Sequence, residues 1–122
     1  MLHTSCPRIY FVRHEMQLDQ VRERSKILLG SLYRLEVAAA IANADPGVVH
    51  IRGLADQLRL SDGLVRAEML HFEKAGLLLR LPRPKGQQQQ DFERMPSIFW
   101  RMSQILLDEL RQKSESSGPA AS

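Results

Sequence analysis

The 122-residue chain predicts a mainly α domain with a small β-hairpin, built around a helix-turn-helix. Three observations predict this class. Residues 54–58 and 62–75 carry two short helical patterns separated by one tight turn. Amphipathic helical patterns flank that pair on both sides. Between residues 77 and 95, two short strand-like segments bracket a stretch of proline, glycine and glutamine, as the strands and tip of a hairpin would.

The length holds one domain and leaves no room for a second, and 43% hydrophobic with 25% charged residues is globular composition. The expected organisation is an N-terminal arm over residues 1–14, a domain over 15–113 and a disordered tail over 114–122. The arm is read as extended because Pro7 is followed by the short continuous run Ile9-Tyr10-Phe11-Val12.

Between Glu15 and Leu29, the positions Leu18, Val21, Ser25 and Leu28 follow helical spacing, while Asp19, Arg22, Glu23 and Lys26 charge the other side. Gly30-Ser31 breaks the path, and Ser31 is placed to cap a helix from Leu32 to about Asn43. Leu35, Ala38, Ala39, Ile41 and Ala42 make that helix apolar on much of its surface, so it is expected to be the central buried one. Asp45-Pro46-Gly47 signals a turn, and Val48-Val49-His50-Ile51 suits a first short strand.

In the helix-turn-helix, Leu54, Ala55 and Leu58 form the inner side of the first helix, and Leu60 plugs the turn. Ser61 offers its hydroxyl to the free amides of the next helix, Asp62 suits the positive end of its dipole, and Gly76 lies where a left-handed cap is expected. At about 100° per residue, Val65, Met69 and Phe72 fall in one narrow sector, with Leu64, His71 and Ala75 beside it. Gly63, Arg66, Ala67, Leu70, Glu73 and Lys74 take the opposite side. Residues 77–81 read as a second strand, Pro82 to Gln90 as a mobile tip and Asp91 to Met95 as the returning strand. Pro96-Ser97 then opens a last helix to about Lys113, with Ile98, Met102, Ile105, Leu106 and Leu110 on one side.

Leu54 to Leu77, with the run Leu78-Leu79-Arg80-Leu81 behind it, resembles the recognition core of bacterial winged-helix regulators of the ArsR and MarR type. The upstream run from Leu29 to Ala42 is similar to the helix that precedes this motif in ArsR-type proteins. The resemblance covers residues 29–95. It implies a winged helix-turn-helix with flanking dimerisation helices, acting on double-stranded DNA as a homodimeric transcription regulator. The helix over 62–75 would then enter the major groove and the wing over 82–91 would lie on the backbone. The residues expected at DNA are Arg52, Arg59, Ser61, Asp62, Gly63, Arg66, Ala67, Leu70, Lys74, Arg80, Arg83 and Lys85. Those expected at the dimer interface are Leu18, Val21, Leu28, Ile98, Met102, Ile105, Leu106 and Leu110.

Charge agrees with this reading. The formal net charge is +3, and residues 51–85 hold seven Lys or Arg (52, 59, 66, 74, 80, 83 and 85) against four acids (56, 62, 68 and 73), so that segment carries the whole excess. Asp62, Glu68 and Glu73 are expected to oppose DNA electrostatically. One departure from the resemblance is that Gly63, Ala67 and Leu70 stand where such regulators usually have polar groups. A winged-helix protein-interaction module without base reading is therefore the alternative.

Other chemistry finds no pattern. His3, His14, His50 and His71 lack metal-ligand spacing, His71 is expected near the buried side of its helix, and no metal or cofactor is expected. Single Cys6 excludes an intramolecular disulfide and fits a reducing cytoplasm. No glycine loop, nucleophile elbow or acid-base pair points to an enzyme. Met16, Met69, Met95, Phe72, Phe99 and Trp100 could line an effector pocket, but at helical spacing they read as core. No apolar run approaches the roughly 20 residues of a membrane span.

Overall fold

The computed structural model describes the backbone of residues 7–120 and the side chains of residues 18–113. His3, Cys6 and the side chains of His14 and Met16 lie outside the described residues. The chain runs α1 (Pro7–Leu29), α2 (Arg34–Asn43), β1 (Val48–His50), α3 (Ile51–Leu58), α4 (Asp62–Lys74), β2 (Leu78–Arg80), β3 (Asp91–Arg94) and α5 (Ile98–Ala120). This is the expected class, a mainly α domain with a β-hairpin, and β1 forms where a first short strand was expected, except that Ile51 opens α3. The sheet is antiparallel in the order β1-β3-β2, with Val49 opposite Phe92 and Leu79 opposite Glu93.

Two expectations at the ends are corrected. Residues 7–14, expected as an extended arm, open α1. Proline is preorganised for a first helical position, and a run of four apolar residues has no period that separates strand from helix. Residues 114–120, expected in a disordered tail, continue α5. No glycine or proline interrupts the chain between Lys113 and Gly118, and an established helix propagates at little cost.

α2 is the buried centre, with every residue from Leu35 to Ile41 enclosed. It divides two cores. The larger joins Val37, Ala38 and Ile41 to Val49, Leu54, Ala55, Val65, Met69, Phe72, Leu78, Phe92 and Trp100. The smaller joins Leu35 and Ala39 to Val21 of α1 and to Leu107 and Leu110 of α5. Hydrophobic burial supplies the driving force in both, but it is non-directional. Directional contacts fix how the helices sit.

Several of these come from residues distant in sequence. α2 starts at Arg34 rather than Leu32, and the residue before it, Tyr33, makes no side-chain cap. The cap reaches over from α1: Ser25 Oγ accepts from the Leu35 amide at 3.1 Å and donates to the Ser31 carbonyl at 2.7 Å. The Ser31 hydroxyl, expected to cap this helix, accepts from the Tyr33 amide at 3.4 Å just ahead of it and donates to Glu68. Arg22 of α1 forks onto Glu36 of α2 at 2.6 and 3.1 Å and lies over the Tyr33 ring. That carboxylate raises the Arg22 guanidinium pKa. At the other end of α2, Arg94 Nη1 donates to the carbonyls of Ile41, Ala42 and Ala44 at 2.8, 2.9 and 2.9 Å, meeting acceptors that a helix leaves free at its C-terminus.

Phe72, Phe99 and Trp100, weighed as a pocket lining, are core. Phe72, Phe99 and Trp100 form a three-ring cluster with centroids 5.2 to 5.6 Å apart, and Trp100 Nε1 donates to the Met95 carbonyl at 2.8 Å. The cluster joins α4 to α5. Met69 is fully buried beside it.

Candidate nucleic-acid interface

α4 is defined at both ends by the residues expected to do so. Ser61 Oγ accepts from the Leu64 amide at 3.2 Å, and Gly76 takes φ +82° just past the helix. The turn between α3 and α4 is made by Arg59 in the left-handed region at φ 58°, with the Leu60 amide closing on the Ala55 carbonyl at 3.0 Å. Leu60 packs on the larger core, as a plug for that turn would. His50 caps α3, its Nδ1 accepting from the Gly53 amide at 3.1 Å.

Val65, Met69 and Phe72 are the buried face of α4, and Gly63, Arg66, Ala67, Leu70 and Lys74 are exposed on the other side. Four residues depart from the helical reading. Leu64, His71 and Ala75, expected beside the core stripe, are exposed. Glu68, expected only as a charge opposing DNA and assigned to neither face, is buried between Ser31 and Arg34, with Arg34 Nε at 2.9 Å. Its position lies within one residue of the apolar stripe, and two donors from the α1–α2 corner draw it inward.

The remaining acids are also largely neutralised. Arg80 of β2 forks onto Glu73 of α4, with Nε at 3.0 Å and Nη2 at 2.9 Å, and lies over the Phe92 ring at 5.1 Å. The fork lowers the Glu73 carboxyl pKa, and Glu73 in turn raises that of Arg80. Asp62 sits 3.8 Å from Arg52, a loose exposed pair. Of the four acids in residues 51–85 only Asp56 has no ion pair among the described residues. Arg59, Arg66, Lys74, Arg83 and Lys85 have none either, so free positive charge dominates this side.

The tip between β2 and β3 carries Arg83 and Lys85, both exposed. Its own polar groups hydrogen-bond across it. Arg83 Nη1 donates to the Gln88 carbonyl at 2.8 Å, Gln90 Nε2 to the Leu81 carbonyl at 2.6 Å and Gln89 Nε2 to Asp91 Oδ1 at 2.9 Å. The glutamine run thus serves as a set of local staples. Sequence alone offered only its composition.

The expected dimer residues divide into two groups. On α5, Ile98, Met102 and Ile105 share one stripe and are 73%, 57% and 54% exposed. Trp100, Ser103, Leu107 and Leu110 face inward from the opposite side. Leu110, expected on the stripe of Ile98, is therefore inside the smaller core, and Leu106 packs at that core's edge. On α1, Val21 is buried in the same core, Leu18 is half-buried, and Leu28 is exposed beside Ile27. Among the described residues no helix is long and apolar enough to cross a membrane.

No protein-family model matches the chain, and no curated protein matches it. Solved structures do. The ligand-free wild-type MarR from E. coli superposes with a TM-score of 0.68 at 14% identity, over 95% of this chain and 87% of that one. MepR from S. aureus, in its complex with DNA, gives 0.62 at 13% identity over 89% and 80%. AbsC, a MarR family transcriptional regulator from Streptomyces coelicolor, gives 0.58 at 11% identity over 93% and 76%. With its five helices and three-stranded sheet, the chain has the winged-helix fold of the MarR-type transcription regulators.

Proposed function

We propose that the chain is a sequence-specific double-stranded DNA-binding transcription regulator acting as a homodimer, with α4 in the major groove and the 82–91 wing on the flanking backbone. The observation that carries this reading is the charge balance around α4. Glu68 is buried, Glu73 is engaged by Arg80 and Asp62 faces Arg52, while Arg66 and Lys74 project from the exposed side of α4 with Arg83 and Lys85 on the adjoining wing. Unpaired basic groups on a helix and a neighbouring hairpin suit a duplex, whose phosphates attract charge without regard to sequence. MepR, which shares the fold, is described in a complex with DNA.

In this reading Arg66 is the long donor on the outward face able to reach a guanine edge through two bonds. The exposed stripes of α5 and the end of α1 would meet their copies in a second chain, and a stable interface of that kind buries on the order of 1,600 Å² in total. Two α4 helices related by a two-fold axis fit half-sites about 34 Å apart, so the target is an inverted repeat. Selection from a randomised duplex pool tests the reading: the retained fraction is expected to converge on such a repeat, and a pool that stays random would remove base reading.

A second reading has one observation in its favour. Leu70 is 40% exposed on the outward face of α4, beside Gly63 and Ala67, which offer no side-chain donors. That surface also suits a protein partner. Leu70→Asp separates the two, since it would abolish capture of a protein partner but would lower DNA affinity by charge repulsion.

A further inference from the structure

Among the buried residues of α4, Val65, Met69 and Phe72 are apolar and Glu68 alone is charged. Apolar packing holds the helix in place, yet tolerates small rolls and slides because it has no preferred direction. A carboxylate bonded to two donors does not. Both donors come from one place: Ser31 Oγ donates to Glu68 Oε2, and Arg34 Nε donates to Oε1 at 2.9 Å. Arg34 also donates through Nη1 to the carbonyl of Leu29, the last residue of α1, at 2.6 Å.

This corner is where the chain leaves helical geometry. Gly30 takes φ +84°, and its amide closes α1 on the Lys26 carbonyl at 2.9 Å. Ile27 and Leu28, exposed at the end of α1, lie within four residues of Ser31. The Arg34 guanidinium therefore bridges the end of α1 to α4, and the carboxylate on α4 reads the position of that corner.

We infer that Glu68 is a positioning residue for α4: with Ser31 and Arg34 it locks the roll and axial position of α4 to the α1–α2 corner. This rests on the proposed DNA-binding role only for its consequence at DNA, where the lock sets the spacing and tilt at which two α4 helices meet their half-sites.

The test uses Glu68→Gln, which keeps the shape and removes the charge, and Ser31→Ala, a milder change should the first fail to fold. Amide hydrogen exchange is measured in the full chain without DNA. Exchange within α4 is expected to rise about tenfold relative to α2 and α5, the scale set by removing one charge-assisted hydrogen bond. With DNA, the variants should no longer discriminate between duplexes whose half-sites are respaced by one base pair, while binding each of them. Exchange that rises equally in every helix, or stays unchanged in α4, would overturn the lock. If the wild type binds no duplex, the DNA-binding reading falls, and the exchange experiment still decides the lock by itself.

Discussion

Arg80 lies across Glu73, its Nε and Nη2 donating to the two carboxylate oxygens at 3.0 and 2.9 Å, so that β2 of the wing is tied to α4. Arg80, expected at DNA as a free cation, instead screens the acid nearest the end of α4 with its guanidinium. Arg80→Ala should weaken DNA binding by exposing Glu73, and adding Glu73→Gln should restore most of the affinity. Arg66→Ala should gain nothing from Glu73→Gln. Fluorescence anisotropy with one labelled duplex measures these variants beside the wild type and Glu73→Gln, closing one double-mutant cycle for Arg80 with Glu73 and one for Arg66 with Glu73.

The same pair sets an acid sensitivity. Glu73 has its carboxyl pKa lowered in the folded chain, first by the Arg80 hydrogen bonds, so the pair contributes stability above the ordinary glutamate value and loses it as pH falls through the lowered one. Both groups remain partly exposed, which limits the contribution to about 1 kcal/mol or less. Thermal melts between neutral and acidic pH should show Glu73→Gln less stable at neutral pH and converging on wild type in acid. A difference that grows toward acid would contradict the assignment.

Ser25 is wholly buried, and its hydroxyl serves both the Leu35 amide and the Ser31 carbonyl. Ser25→Ala leaves both groups without that partner and should cost about 1–3 kcal/mol, read by denaturant unfolding. Ser25→Thr should not rescue it, because the extra methyl has no space in a site this enclosed.

The two faces of α5 should respond oppositely to charge. Met102→Asp with Ile105→Asp, on the exposed stripe, should yield a folded monomer by light scattering, with circular dichroism unchanged. Leu110→Asp, on the inward face, should unfold the chain, since an isolated buried carboxylate costs several kcal/mol. A dimer that survives the double substitution would place the interface elsewhere.

Local rules carried the legible part of the fold. Ser61 and Gly76 bound α4 as expected because caps depend on residues within one turn, and Val65, Met69 and Phe72 followed from helical spacing. Longer-range contacts were not legible. Glu68 reads as a charge opposing DNA until Ser31 and Arg34, more than thirty residues earlier, are brought beside it. Arg80 reads as a free wing cation until the hairpin folds onto α4. Leu110 shares an apolar pattern with Ile98 and Met102, and the pattern does not say which side of a twice-apolar helix the core takes. The extended reading of residues 7–14 failed for a related reason, since a short apolar run suits strand and helix alike.

The salt dependence of duplex binding tests the central claim most directly. Affinity is measured from low to physiological salt for the wild type and for Arg66→Ala/Arg83→Ala/Lys85→Ala. The wild type should weaken steeply with salt, and the variant should bind more weakly, with a slope shallower by about 0.9 for each phosphate it no longer neutralises. Removing Arg66 should also relax base preference at a cost of about 1–3 kcal/mol. Equal and salt-insensitive retention of both proteins on DNA would contradict the account.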